Sequence, residues 1–119
     1  MERSLRVTKR SEYTLVYQQG TVWAGGLVVM KAMRNGLGST RYGFSVTKKL
    51  GKAVQRNRVK RLLREVVSLQ SVKVGWDIVF IPRSGAASAD YHQLEDAITK
   101  LLAKAQLLCR NEAVSVRLN

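Results

Sequence analysis

The sequence predicts a single α/β domain with the element order helix, two or three strands, helix, strand, helix. Three observations support this prediction. The chain has 119 residues, of which 45% are hydrophobic, which is enough apolar material for one compact core. Its apolar residues follow the helical period in three segments, and alternate or run unbroken in the segments between them. A strand, helix, strand unit ordinarily forms a right-handed crossover between parallel strands.

The first predicted helix covers Lys9 to Gln19 and ends at Gly20. Tyr13, Val16 and Tyr17 share one face of this helix at helical spacing. Core packing is the simplest role for the two tyrosines. In a basic protein, however, two tyrosines on one face can also stack on unpaired bases, so both roles stay open.

The predicted strands of the first half cover Thr21 to Arg34, interrupted by Gly25-Gly26, and then Arg41 to Thr47. In the second of these segments, Gly43 and Ser45 alternate with larger side chains and leave one face of the strand shallow. A shallow sheet face beside an aromatic helix is a place where an extended nucleic-acid strand fits.

The second half contains a helix from about Val54 to Leu69, a strand, and a last helix from Asp90 to Leu108. The strand, Trp76 to Ile81, is an almost unbroken apolar run that ends at Pro82. Such a run predicts a strand covered on both faces.

The helix after Lys48 combines an apolar face with a cationic one. Its apolar residues recur at i, i+3, i+4, i+7 and i+8, namely Val59, Leu62, Leu63, Val66 and Val67. Every charged residue from Lys48 to Arg64 is basic, and the first carboxylate is that of Glu65. Solvated helices usually interleave both signs of charge to gain ion pairs. Together with the formal net charge of +13, the unbalanced face predicts a polyanionic partner.

The sequence does not predict an active site in the protein itself. His92 is the only histidine, and a surface imidazole is its simplest interpretation; Cys109 is the only cysteine and is predicted to be a buried structural thiol. A metal-dependent nuclease normally needs clustered acids, which the basic region lacks. The absence of a signal-like or membrane-length apolar stretch predicts a cytoplasmic protein.

Three other classes of protein remain as alternatives at this point. A structural ribosomal protein is also small, basic and mixed α/β, and would bind ribosomal RNA. A DNA-binding regulator would place the basic helix in a major groove, although the pattern matches a helix-turn-helix poorly. An autonomous nuclease is disfavoured because the acids are scattered.

The segment from Arg41 to Glu65, RYGFSVTKKLGKAVQRNRVKRLLRE, resembles the signature of the protein subunit of bacterial ribonuclease P. The surrounding chain agrees with this resemblance, because it has an aromatic first helix with Tyr13 and Tyr17 and the strand Trp76 to Ile81. The resemblance covers about residues 5 to 108. The Arg-Asn-Arg helix preceded by Lys-Lys and Gly is specific only in combination.

The resemblance implies a small α/β (α+β) two-layer sandwich with a mixed sheet and the order α-β-β-β-α-β-α. The basic helix would join two parallel strands by a left-handed crossover, against the general rule, as in the ribosomal protein S5 domain 2-like fold. The whole chain, 1–119, would be one RNA-binding domain with flexible ends over about 1–7 and 110–119.

The function implied by the resemblance is that of a protein cofactor in transfer RNA maturation. In this family the RNA subunit is the catalyst and uses magnesium, which it mainly holds itself, to hydrolyse the phosphodiester that joins the 5′ leader to the precursor tRNA. The protein subunit binds the catalytic RNA and the single-stranded leader, broadens substrate binding and lowers the magnesium demand. It has no catalytic or metal-binding residue, no membrane association and no obligate protein partner.

The resemblance also implies two sets of site residues. The residues expected to bind the RNA subunit are Lys48, Lys49, Lys52, Arg56, Asn57, Arg58, Lys60, Arg61 and Arg64. The residues expected to line the cleft for the leader are Tyr13, Tyr17, Arg41, Phe44 and Val46. Family members commonly carry phenylalanine at the two tyrosine positions, a change that preserves stacking.

Overall fold

The computed structural model describes residues 5–109 and contains three helices and four strands within that range. In chain order the elements are α1 (Arg10–Gln19), β1 (Thr21–Ala24), β2 (Val28–Arg34), β3 (Arg41–Phe44), α2 (Ala53–Ser68), β4 (Trp76–Pro82) and α3 (Tyr91–Lys104). Short 3-10 turns cover Lys48–Leu50 and Ser84–Ser88. The predicted α-β-β-β-α-β-α order is confirmed.

The four strands form one mixed sheet in the order β1-β2-β4-β3. The pairs β1–β2 and β2–β4 are antiparallel, whereas β3 and β4 are parallel neighbours. Because α2 lies between these two strands in the chain, the predicted strand, helix, strand unit is confirmed. The left hand of the crossover stays a prediction.

One face of the sheet forms the hydrophobic core with α2 and α3. Directly opposite residues of paired strands project to the same face, so the pairs Met30–Phe80 and Phe44–Phe80 place their side chains together. Leu63 of α2 and Leu94 of α3 are fully buried in the same cluster. The sheet and these two helices are the two layers that the resemblance implies.

Helix α1 lies across the opposite face of the sheet. Val79 alternates with Phe80 along β4 and pairs with Lys31 on one side and Gly43 on the other, so these three residues share the second face. Val79 and Val16 of α1 are both fully buried. The sheet is therefore covered by α2 and α3 on one side and by α1 on the other.

Two elements are shorter than the sequence predicted. β3 ends at Phe44 instead of Thr47. α3 ends at Lys104 instead of Leu108, because Gln106 adopts a positive φ of 59° and the Leu107 amide donates back to the Leu102 carbonyl at 2.9 Å. This left-handed ending satisfies late carbonyls of the helix.

The chain after α3 turns back against the segment before β4. The Lys73 amide donates to the Leu107 carbonyl at 2.8 Å, and the Cys109 amide donates to the Ser71 carbonyl at 2.8 Å. The Cys109 side chain is exposed, so the prediction of a buried thiol is wrong. Cys109 is held in place by its backbone hydrogen bond to Ser71, and its sulfur does not pack into the core.

The amino-terminal segment is paired where the structure describes it. Arg6 forms a parallel bridge with Tyr42, and the Val7 amide donates to the Tyr42 carbonyl at 2.8 Å. Val7 is buried, so Arg6 and Val7 are paired with β3, although they fall in the end predicted to be flexible. The remaining predicted flexible ends, 1–4 and 110–119, lie outside the described residues. Within 5–109, no helix is long and apolar enough to cross a membrane.

Candidate nucleic-acid interface

Helix α2 separates its apolar and cationic residues as the sequence predicted. Val59, Leu63, Val66 and Val67 are buried, and Leu62 is partly buried against the same core. The opposite side of the helix carries the basic residues and presents no carboxylate before Glu65. Asn57, Arg61 and Arg64 are exposed on this side, and Arg56, Arg58 and Lys60 are partly buried.

The turn before α2 extends the cationic surface. Lys48, Lys49 and Lys52 are exposed, whereas Leu50 between them is buried and anchors the 3-10 turn. Gly51 has a φ of 149°, and a Cβ at this position would collide with the Gln55 amide. Glycine is therefore required for the chain to leave the turn and enter the helix.

The two arginines of the Arg-Asn-Arg step donate hydrogen bonds to backbone carbonyls of two different segments. Arg56 Nη1 donates to the Gly51 carbonyl at 2.8 Å. Arg58 Nη2 donates to the Ala89 carbonyl at 3.0 Å, and its Nη1 donates to the Ala87 carbonyl at 3.5 Å. Asn57 is the member of the step that is fully available to a partner.

Tyr13 is fixed against the sheet by its contact with Gly43. A Cβ added to Gly43 would stand 2.8 Å from Cε1 of the Tyr13 ring, so this close approach requires glycine. Burial raises the pKa of Tyr13 above its ordinary value, and a backbone hydrogen bond with Phe44 and the nearby charge of Arg64 oppose the rise. Tyr13 therefore extends from α1 onto the edge strand β3.

Tyr17 is the more accessible of the two tyrosines. Its residue surface is 37% exposed, and its ring lies 6.4 Å from that of Tyr13 at an interplanar angle of 52°. Lys31 Nζ lies 4.9 Å from the centroid of the Tyr17 ring, within the range of a cation–π interaction. The two tyrosines and Lys31, which we call the tyrosine surface, place aromatic rings and a cation side by side.

Sequence reasoning missed Lys31 as a site residue. The signal was its position in a strand in which Val28, Met30 and Ala32 alternate as apolar residues, which assigns Lys31 to the other face of the sheet. Which helix covers that face cannot be read from the strand pattern, so the pairing with Tyr17 was not predictable.

Arg41 connects α1 to the sheet through two carboxylates. Its Nε and Nη2 donate to the two oxygens of Asp77 at 2.8 and 2.6 Å, and its Nη1 donates to Glu12 Oε2 at 2.8 Å. Asp77 is only 5% exposed and also accepts from Asn35 Nδ2 at 2.9 Å. These bonds give Arg41 a structural role on the face that carries the tyrosine surface; a direct contact with a leader stays a prediction.

This network of hydrogen bonds shifts the pKa of two of its members. Hydrogen bonds from the Lys9 and Thr8 amides, with a contribution from Arg41, lower the pKa of Glu12 although burial opposes this. The hydrogen bonds to Asp77 are the main cause that raises the pKa of Arg41. Both shifts favour the charged form, so Glu12 and Arg41 are an ion pair at neutral pH.

The structure does not bring Phe44 and Val46 together with the tyrosines. Phe44 alternates with Gly43 along β3 and faces the core, where its ring stacks on Phe80 at a centroid distance of 6.1 Å and an angle of 20°. Val46 packs against the same core. The Phe44 side chain and the Tyr13 ring thus lie on opposite faces of the sheet, and contact of Phe44 and Val46 with a leader stays a prediction.

The described residues offer no preformed metal site. Within 5–109, no group of three or more His, Cys, Asp or Glu side chains is placed to hold a metal ion. His92 is exposed, with Nδ1 3.7 Å from Glu95 Oε1. The predicted absence of a catalytic residue in the protein stays a prediction.

Comparison with known proteins agrees with this architecture. The family model described as Ribonuclease P matches residues 1–106. The ribonuclease P protein component of Dehalococcoides mccartyi is 47% identical over 116 residues, which cover 97% of each chain. That of Caldanaerobacter subterraneus subsp. tengcongensis is 44% identical and covers 89% of this chain and 93% of the relative.

Solved structures of the same kind share the fold. A Staphylococcus aureus RNase P protein mutant with defective mRNA degradation activity superposes with a TM-score of 0.84 at 31% identity, covering 91% of this chain and 93% of that one. The RNase P protein from Thermotoga maritima gives a TM-score of 0.77 at 28% identity, covering 83% and 96%. From the sequence match across nearly its whole length and the shared fold, the chain belongs to the bacterial ribonuclease P protein family.

Proposed function

We propose that this chain is the non-catalytic protein subunit of a ribonuclease P, an RNA-based endoribonuclease that removes the 5′ leader from precursor tRNA by phosphodiester hydrolysis. In this proposal it binds the catalytic RNA subunit through α2 and the preceding turn, and the single-stranded leader through the tyrosine surface. The observation that carries the proposal is the cationic side of α2 in a member of this family. We expect the complex to act in the cytoplasm.

The cationic side of α2 suits a folded RNA. Exposed Arg61 and Arg64 lie one turn apart on the helix, and Lys48 and Lys49 extend the same charge into the turn before it. Guanidinium groups present planar donors that match phosphate oxygens, and each neutralised phosphate releases counterions. No carboxylate of the helix competes before Glu65, so the RNA would supply the missing negative charge.

We expect this charge also to lower the demand for magnesium. Two RNA molecules that approach each other repel through their phosphates, and cations must screen that repulsion. Fixed protein cations perform part of the screening, so fewer metal ions are needed for assembly with the precursor. Magnesium itself would be held mainly by the RNA subunit, where it supplies the hydrolytic chemistry.

The tyrosine surface suits an unpaired leader. Tyr17 is exposed to solvent, so a base could stack on its ring. Lys31 beside it could neutralise the phosphate next to that base. Stacking on tyrosine tolerates every base, which fits leaders of varied sequence. The charge of Arg64 opposes the rise in the pKa of Tyr13, which supports a position of this surface near the cationic side of α2. A leader and a catalytic RNA can therefore contact neighbouring parts of one protein.

The experiment that tests the proposal measures affinity for the RNA subunit as a function of salt concentration. The variant is Arg61→Gln with Arg64→Gln, and the charge-matched control is Lys100→Gln with Lys104→Gln on α3, where both lysines are exposed. We expect the α2 variant to bind less tightly, with a salt slope reduced by roughly 0.7–0.9 for each phosphate that the protein no longer neutralises. The control should keep most of the affinity. An equal weakening in the two variants would reduce α2 to a nonspecific contributor of charge.

A further inference from the structure

Arg58 belongs to the Arg-Asn-Arg step, yet its guanidinium is directed toward the protein backbone. Its two hydrogen bonds, to the carbonyls of Ala89 at 3.0 Å and Ala87 at 3.5 Å, reach residues that lie between β4 and α3. By contrast, Arg61, which lies one turn later on the same helix, is exposed. Arg58 therefore contacts backbone carbonyls, whereas an arginine that binds phosphate would have its guanidinium open to the ligand.

The residues held by Arg58 form a compact segment, Arg83–Ala89, which we call the β4–α3 segment. The Ala86 amide donates to the Arg83 carbonyl at 2.9 Å, and the Ala89 amide donates to the Ala86 carbonyl at 3.2 Å. Ala86 and Ala89 are buried. At the start of the segment, the Arg83 amide donates to the Leu27 carbonyl at 2.8 Å. One end is thus fastened to the loop between β1 and β2, and Arg58 fastens the other end to α2.

The β4–α3 segment packs against the 3-10 turn Lys48–Leu50. That turn carries two exposed cations, Lys48 and Lys49, on a single buried anchor, Leu50. A displacement of the segment would remove part of the surface against which the turn rests. The segment that Arg58 contacts therefore adjoins the turn that carries both lysines.

An arginine is suited to this task because its rigid fork reaches two carbonyls at once. A lysine carries the same charge, but its three N–H donors lie on one nitrogen at the end of a flexible stem. A phosphate can be neutralised by either side chain, whereas two separate backbone carbonyls are held better by the two arms of the planar fork. The substitution of arginine by lysine therefore distinguishes a residue that holds a backbone segment in place from one that only supplies positive charge.

We propose that Arg58 is a positioning residue: it holds the β4–α3 segment against α2 and thereby sets the turn that presents Lys48 and Lys49 to RNA. Its contribution to RNA binding passes through these lysines, in place of the direct contact that the family resemblance implies. The inference rests on the proposed RNA-binding function of the cationic surface.

The test compares Arg58→Lys with Arg61→Lys, two variants of one helix that retain all charges. In the free protein, Arg58→Lys should accelerate hydrogen exchange of the Ala86 and Ala89 amides at least severalfold while the amides of β4 stay protected. Arg61→Lys should leave exchange unchanged. Arg58→Gln, which retains an amide donor, serves as a second variant with the same expectation.

Affinity for the RNA subunit is then measured in a double-mutant cycle. Arg58→Lys should weaken binding severalfold in the otherwise unchanged protein, but have little effect when Lys48→Ala and Lys49→Ala are already present. A residue that only stabilised the fold would not show this coupling to Lys48 and Lys49 in RNA affinity. Additive effects on affinity, or weaker binding without faster exchange, would overturn the proposal and return Arg58 to direct RNA contact. If the Lys48→Ala, Lys49→Ala variant and the Arg61→Gln, Arg64→Gln variant both bind RNA normally, the proposed function itself fails.

Discussion

Tyr13 of α1 lies so close over Gly43 of β3 that no room is left between them for even one methyl group. A Cβ at Gly43 would stand 2.8 Å from Cε1 and 2.9 Å from Oη of the tyrosine. The contact limits how closely α1 approaches the sheet, and α1 in turn carries Tyr17 to its contact with Lys31 of β2. The packing of one glycine thus determines the geometry of the tyrosine surface.

Gly43→Ala should therefore destabilise the protein and weaken leader binding together. Inserting a methyl group into a packed contact typically costs about 1–3 kcal/mol, and Tyr13 has little room because α1 is also tied to the sheet through Arg41. Chemical denaturation gives the free energy of unfolding. The control is Gly26→Ala, where an added Cβ meets nothing within 4 Å and the expected change is within about 0.5 kcal/mol.

Tyr17→Ala should weaken the binding of precursor tRNA only when a leader is present. Removal of one stacked aromatic ring typically costs about 1–3 kcal/mol per base, and Tyr17 is not fully buried, so the fold should persist. Tyr17→Phe preserves the ring and should bind nearly as the parent protein does. The measurement is the affinity of the reconstituted complex for precursor with leader and for leaderless tRNA; an equal weakening with both would show that Tyr17 acts through packing.

Asp77→Asn should be among the most destabilising single substitutions in this protein. The change removes the more buried of the two carboxylates that pair with Arg41, and breaking a buried ion pair costs up to about 3–5 kcal/mol. Asp96→Asn is the matched control, because its ion pair with Lys100 at 3.0 Å is exposed and should contribute at most about 0.5 kcal/mol. Urea unfolding of both variants at neutral pH makes the comparison; similar destabilisation of the two would contradict the importance of the buried pair.

The lowered pKa of Glu12 predicts an acid-sensitive attachment of α1. Because the folded state depresses this pKa, the carboxylate contributes stability above its unfolded value near 4.5, and the contribution is lost as the pH falls through the folded-state value. Glu12→Gln should therefore be less stable than the parent protein at pH 7. The difference between the two should shrink as the pH is lowered below the ordinary range of a glutamate. Unfolding free energies measured across this range provide the test, and a difference that stays constant would contradict it.

The elements that the sequence predicted well are those whose pattern is local. The spacing of Val59, Leu63, Val66 and Val67 defines α2 because a single helix face determines it, and all four residues are buried. The unbroken apolar run of β4 is also a local pattern, and it predicted burial on both faces of the strand. Ile78 and Val79, which project to opposite faces, are both fully buried and confirm this prediction.

The features that escaped prediction depend on pairing between distant segments. Phe44 was grouped with the tyrosines, but the register between β3 and β4 directs it toward Phe80 on the opposite face. Lys31 joins Tyr17 only because α1 covers its side of the sheet. The backbone contacts of Arg58 with Ala87 and Ala89 likewise join residues about thirty positions apart, which no local pattern reports.

The central claim is tested most directly by cleavage of a 5′-extended precursor tRNA at low magnesium concentration. The reaction is run with RNA subunit alone, with this protein alone and with the two together. We predict efficient cleavage at the mature 5′ end in the mixture and none with the protein alone. Cleavage by the protein alone, or no change when well-folded protein is added to the RNA subunit, would contradict its role as a non-catalytic subunit.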